Sequence, residues 1–218
     1  MPLERGSPVL AEQVEKLLAQ PLPWPIVQAG DPVLRAAARP YEGELSDELL
    51  SGLIAGMKET MHAAPGVGLA APQIGLSVRI AVVEDGARDR PGVAESTLAT
   101  RGIVPLPFRV LVNPEYTRVG DETAAFFEGC LSVRGWQAVV ARPLRIRLRG
   151  TDETGAALDE ELSGWPARIV QHETDHLHGI LYLDRAELRS LSTHEAVARR
   201  WTQPTPADAA RELGFDLP

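Results

Sequence analysis

Cysteine is nearly absent: Cys130 is the one such residue in 218. That excludes an intrachain disulfide and fits a reducing compartment. Long apolar runs are missing as well, and none approaches the roughly 20 residues needed to cross a bilayer. The opening stretch MPLERGSPVLAEQVEKLLAQ lacks the apolar block of a secretory signal. Its Glu4, Glu12 and Glu15 also argue against a transit peptide, which is usually poor in acidic residues. The expectation is a cytoplasmic protein with no membrane contact. Positive charge is in deficit, with 22 Lys and Arg against 30 Asp and Glu and a net charge of −8. This excludes a broad phosphate-binding surface. Arginines cluster once, in RPLRIRLRG, where Arg145, Arg147 and Arg149 alternate with Leu144, Ile146 and Leu148. A period of two is the solvent face of a strand, so no direct nucleic-acid site is evident.

The composition that remains, 44% hydrophobic and 24% charged, is that of a soluble globular protein with one well-buried domain. Val9, Leu10, Val14, Leu17 and Leu18 fall on one side of a helix over residues 9 to 20. Prolines then break it in QPLPWPIVQAGDPVLR. LSDELLSGLIAGMKETMHAA is a second helix, with Ser46 as N-cap, Asp47 and Glu48 in the first turn, and a stripe of Leu49, Leu50, Leu53, Ile54, Met57 and Met61. His62 at its end suits the negative pole of the helix. Strands are expected in VRIAVVE, FRVLVNPEY, AAFFEGCLSV, WQAVVA and LRIRLRG, with TDETG as a turn. Residues 85 to 102 read as an irregular loop. A last helix opens at Ser163 or Gly164, carries Pro166 in its first turn and ends at Gly179. The tail past Arg185 is helical around HEAVARRW. The order helix, strands, helix gives an α+β fold, with largely antiparallel sheets around a central metal-binding helix. Residues 1–25 read as an N-terminal helical extension and 186–218 as a C-terminal helix and tail, flanking a central domain over 26–185.

That last helix holds His172-Glu173-Thr174-Asp175-His176. Residues four apart share a helix face, so two imidazoles can grip one metal ion with a glutamate beside them. A catalytic site needs a third protein ligand. Downstream, the pattern H-E-x-x-H-x-x-G-x-x-H holds through Gly179 and fails at Tyr182. Glu187 and Glu195 are carboxylate candidates, each in an arginine-dotted stretch. Upstream, Cys130 in EGCLS offers a thiolate, a strong ligand for zinc or ferrous iron. Asp175 points away from the metal when Glu173 points towards it, which predicts a buried pair with Arg142. Glu128 reads as structural, bonding nearby backbone, and His178 and His194 read as surface residues.

Three stretches, GVGLAAPQIG, EGCLS and QHETDHLHG, resemble in order the signature motifs of peptide deformylase, and GDPVLR and LVNPEY extend the match over most of residues 26 to 185. The resemblance implies removal of the formyl group from the N-terminal formyl-methionine of nascent peptides, releasing formate. It makes Cys130 the third ligand with His172 and His176, for one divalent ion per chain, ferrous iron, with zinc the alternative. Glu173 becomes the general base and then acid. The side-chain amide of Gln73 and the backbone N–H of Leu131 become the donors to the developing oxyanion. Gly66 and Gly68 let substrate backbone approach the metal, and Gly68 pairs with it as an added strand. His172 and the turn near Ile169 are expected to border the methionine pocket. A transient ribosome contact is the one macromolecular partner implied.

The chain departs from the family pattern after EGCLSV, where Arg134 precedes Gly135 in place of proline. Two rival readings stand beside the resemblance. A zinc peptidase would take Glu187 or Glu195 as third ligand, and a metal-stabilised binding module at the ribosome would not need Glu173.

Overall fold

A computed structural model describes residues 10–86 and 95–218. Two antiparallel sheets embrace one buried helix in it. The first sheet has the order β1-β2-β3-β6-β7, from Gly68–Ala70, Ile80–Asp85, Leu106–Arg118, Arg145–Thr151 and Ala157–Ser163. The second joins β4 (Thr123–Cys130), β5 (Val133–Pro143) and β8 (Ala186–Thr193) in that order. Among the described residues six α-helices accompany them: α1 (Leu10–Leu18), α2 (Asp47–Ala63), α3 (Glu95–Arg101), α4 (Gly164–Leu177), α5 (His194–Arg200) and α6 (Ala207–Leu213).

Side chains alternate along a strand, and the first sheet uses both faces. Ile80, Val82, Val110 and Val112 join Leu10, Val14, Leu53, Met57 and Met61 in the core shared with α1 and α2. Ala81, Val83, Leu111, Ile146 and Leu148 meet Ala167, Ile169, Val170 and Leu177 of α4 on the other. The helix thus lies against the sheet and is buried along most of its length, polar residues included. On α2, Ser46 caps the helix as expected, accepting from the Leu49 N–H at 3.3 Å. The alternation of RPLRIRLRG is realised in β6, where Ile146 and Leu148 are buried and Arg147 pairs outward with Asp159 at 2.6 Å.

Several expectations are corrected. Within residues 85 to 102, Glu95–Arg101 is helical, not irregular. The stretch 186–193 is a strand, paired with β5, before the expected helix begins. β7 was not expected at all; its acidic residues face the arginines of β6, with Glu161 opposite Arg147 and Asp159 opposite Arg149. Val9, with residues 1–9, and the 87–94 part of the expected loop lie outside the described residues.

Candidate active site

Strand β4 and helix α4 build the site between them. Phe126, Glu128 and Cys130 alternate onto one face of β4, and the register sets Glu128 opposite Ala138 and Ala124 opposite Arg142 on β5. That face meets α4, whose His172 and His176 lie one turn apart, edge to face, with ring centroids at 5.0 Å. Cys130, His172 and His176 therefore converge, each offering a ligand atom within 4.8 Å of the others. The Cys130 Sγ lies 3.2 Å from His176 Nε2. Tetrahedral bonds of about 2.3 Å to sulfur and 2.0 Å to nitrogen set ligand atoms about 3.3–3.6 Å apart. The three side chains fit such an ion with small adjustments. His176 Nδ1 is buried without a partner, while His172 Nδ1 rests 3.2 Å from a Glu128 oxygen, which leaves its other nitrogen to face the group. Among the described residues neither Glu187 nor Glu195 joins this group.

Glu173 is 4% exposed, and its Oε2 is buried with no hydrogen-bond partner. Burial chiefly, opposed by His172 and Arg142, pushes its carboxyl up to about 7. Such a group sits between acid and base near neutral pH. Gln73 is held from both ends: its Oε1 accepts from the Ala70 N–H at 2.8 Å, and its Nε2 donates to Ser132 Oγ at 3.2 Å and faces Cys130 Sγ at 3.7 Å. Its amide donor thereby faces the Cys–His–His group. Leu131 follows Cys130 in the turn to β5, and no hydrogen bond engages its backbone N–H among the described residues.

A buried ionic network fixes α4. Asp175, expected to pair with Arg142, does so at 2.7 Å and also accepts from Arg185 Nε at 2.8 Å and Tyr116 Oη at 2.9 Å. Glu128 departs from expectation. It bonds side chains, not backbone: Arg142 Nε at 2.7 Å and Nη2 at 3.0 Å, and Arg168 Nη1. Burial opposes its charge, yet Arg142, His172 and Arg168 hold its carboxyl well below the ordinary value. A line of hydrogen bonds thus runs from His172 through Glu128 and Arg142 to Asp175.

The group opens onto a cleft of about 790 Å³. Gly66 and Gly68 line one side, Phe127 to Leu131 another, and Trp165, Ile169 and His172 the floor towards α4. Among the described residues β1 pairs only with β2, and its outer edge borders this cleft. Gly68 has a tighter constraint than close approach of a substrate: a β-carbon there would fall 2.5 Å from Glu173 Cδ and 2.6 Å from its Cγ. His62 reaches beyond its helix end to Glu84 at 2.6 Å. His178 is half-buried between Arg79 and Glu115, against the surface expectation, whereas His194 is exposed and lines the cleft. Arg168 and Trp165, both in the cleft wall, were not singled out from sequence; an arginine amid apolar residues of a buried helix was the signal available.

A family model described as polypeptide deformylase matches residues 23–191. The chain is 66% identical to peptide deformylase 3 of Streptomyces avermitilis, over 98% of this chain and 93% of that one. It is 42% identical to the chloroplastic/mitochondrial peptide deformylase 1A of Arabidopsis thaliana, over 77% and 63% of the two chains. Among solved structures, the class I type b peptide deformylase of Acinetobacter baumannii bound to Met-Ala-Ser aligns with a TM-score of 0.65 at 33% identity, covering 74% of this chain and 97% of that one. The Synechococcus elongatus enzyme in complex with actinonin aligns at 0.64 and 32% identity, covering 91% of each.

Proposed function

The chain belongs to the peptide deformylase family, and from that premise we propose that Cys130, His172 and His176 hold its metal, with Glu173 as the proton-transferring group beside them. The protein is a metal-dependent hydrolase that removes the formyl group from the N-terminal formyl-methionine of newly made polypeptides. The observation that carries the assignment of residues is the buried, unpartnered Glu173 oxygen next to the Cys–His–His group at the end of the cleft.

When bound, a divalent ion supplies Lewis acidity towards a carbonyl oxygen and acidifies water. The chain's own residues do the rest. Water adds to the formyl carbon, Glu173 accepts its proton, and the same carboxyl returns the proton to the amine as the C–N bond breaks and formate leaves. Gln73 Nε2 and the Leu131 N–H donate to the formyl oxygen as it gains charge. Gly68, on the outer edge of β1, and Gly66 in the segment leading into it accept the peptide as an added strand, which suits a substrate of variable sequence. Trp165 and Ile169 with His172 border the methionine side chain. We assign residues 26–185 as the catalytic domain, with 1–25 and 186–218 as additions. Thiolate with two imidazoles suits ferrous iron or zinc; we take ferrous iron as the native ion, the cytoplasm as the place of action and the ribosome as a transient contact. No described helix is long and apolar enough to cross a membrane.

The test is formate release from a formyl-Met peptide by protein purified without oxygen and loaded with ferrous iron, beside its Glu173→Gln variant. The variant should keep its metal and lose about 10²–10⁴ in kcat, the range for a general acid–base group. A variant with parental turnover would remove Glu173 from the chemistry.

A further inference from the structure

Two segments outside the signature motifs come together at the cleft. α5 starts at His194, past residue 191 where the family match ends. α3 ends at Arg101, in a stretch that no motif covers. His194 and Val197 from the first and Arg101 from the second line the cleft that holds the Cys130 group.

The two segments are tied to each other and to the body of the protein. Arg101 Nε donates to the Pro204 carbonyl at 3.1 Å and Nη2 to the Gln203 carbonyl at 3.4 Å. Its guanidinium also lies 5.4 Å from the Phe126 ring centre. Trp201, directly after α5, is buried with Phe127 and Val139 against the β4–β5 pair. α5 is therefore seated on the strands whose far end presents Gly129 and Cys130.

The position of one side chain follows. Thr193 caps α5, accepting from the Ala196 N–H at 3.2 Å, so His194 is its first helical residue. A β-carbon built on Gly129 would lie 3.4 Å from His194 Nε2. Gly129 adjoins Cys130, so the ring stands at most about 12 Å from the sulfur, a span of three to four extended residues. A peptide whose formyl group sits at the metal group reaches His194 with its second or third residue.

We infer that α5, held in place through Arg101, is an added wall of the substrate cleft, and that His194 donates its imidazole N–H to a main-chain carbonyl of the second or third residue of the formyl-peptide. This rests on the reading of Cys130, His172, His176 and Glu173 as the reactive end of the cleft. A main-chain acceptor is the partner that an enzyme processing many sequences can use at every substrate.

The experiment compares the iron-loaded full chain with its His194→Ala and Arg101→Gln variants on two substrates, formyl-Met amide and formyl-Met-Ala-Ser amide. For His194→Ala the ratio of kcat/KM, long substrate over short, should fall about fivefold, the worth of one hydrogen bond, through KM more than kcat. Arg101→Gln should move the same ratio in the same direction. An unchanged ratio in His194→Ala, or an equal loss on both substrates, would overturn the inference while leaving the reactive centre standing. Parent protein that releases formate from neither substrate would overturn the reactive centre, and the inference with it.

Discussion

Substituting Gly68 by alanine is a one-methyl probe of the space around Glu173. The new Cβ would lie 2.5 Å from Glu173 Cδ and 2.6 Å from Cγ, and closer still to Oε1. Carbon atoms in contact prefer about 3.5–4.0 Å, so the carboxylate must retreat by about 1 Å. Glu173 is 4% exposed, on a helix packed against β1, and it can retreat only within the end of the cleft it lines. A displacement of that size at a reacting group costs about 10² in rate, while overpacking of a filled site costs about 1–3 kcal/mol of stability. We expect Gly68→Ala to bind metal at the parental stoichiometry, to melt somewhat lower, and to lose about 10² in kcat for formate release. Gly66→Ala is the matched control. Its Cβ would press at 2.8 Å on Leu131 Cδ1, the tip of a side chain that can swing aside, so its loss should be smaller. Should Gly68→Ala turn over within about threefold of the parent at equal metal content, Glu173 would not be the group whose placement limits the reaction.

Asp175→Ala leaves Arg142 buried with one carboxylate fewer, and breaking such a pair costs about 3–5 kcal/mol; the midpoint of urea unfolding should fall accordingly, and an unchanged midpoint would show that the network braces nothing. Cys130→Ala should abolish metal retention, measured by elemental analysis after dialysis, and a full complement of metal in that variant would return the search for a third ligand to Glu187 or Glu195. Gly56→Ala sets a methyl 2.5 Å from Trp24 Cζ2 and 2.7 Å from Cζ3, in the α1–α2 core at residues that do not line the cleft. It should lower stability by about 1–3 kcal/mol with kcat kept, and a loss of kcat at full stability would mean that α2 communicates with the site.

What could be read in the sequence was what repeats locally. The stripe from Leu53 to Met61, the alternation around Ile146 and Leu148, and the helical span of HETDH each declare their element through period alone, and each forms. β7 hides because ALDEELS is mostly acidic; its pairing with β6 is visible only once Arg147 and Arg149 face Glu161 and Asp159 across it. β8, in AELRSLST, leaves Leu188 and Leu191 exposed, so its apolar residues give no core-facing alternation, and only its place beside β5 makes it a strand. The site divides in the same way. His172 and His176 are a local pair, readable from spacing. Cys130 comes from 46 residues away, so from sequence it was named by resemblance, not by spacing.

Glu128 shows what such non-local assembly adds. From sequence it is an acidic residue two before a cysteine, with nothing to distinguish it from a backbone-bonding structural carboxylate. In the fold it is 6% exposed and is met by two arginines and His172. An isolated buried carboxylate would be neutralised or expelled; this one stays charged because β5 contributes Arg142 and α4 contributes Arg168. A buried ion network of this kind adds little net stability over an apolar core of equal volume, so stability alone does not account for it. Its geometric effect is specific. Carboxylate contact at Nδ1 selects the tautomer and the ring angle of His172, and Arg142, shared with Asp175, ties that contact to a second point three residues further along the same helix. The angle of His172 and the seating of α4 are therefore one constraint. β4 therefore contributes Cys130 to the group directly and, through Glu128, sets one of its imidazoles.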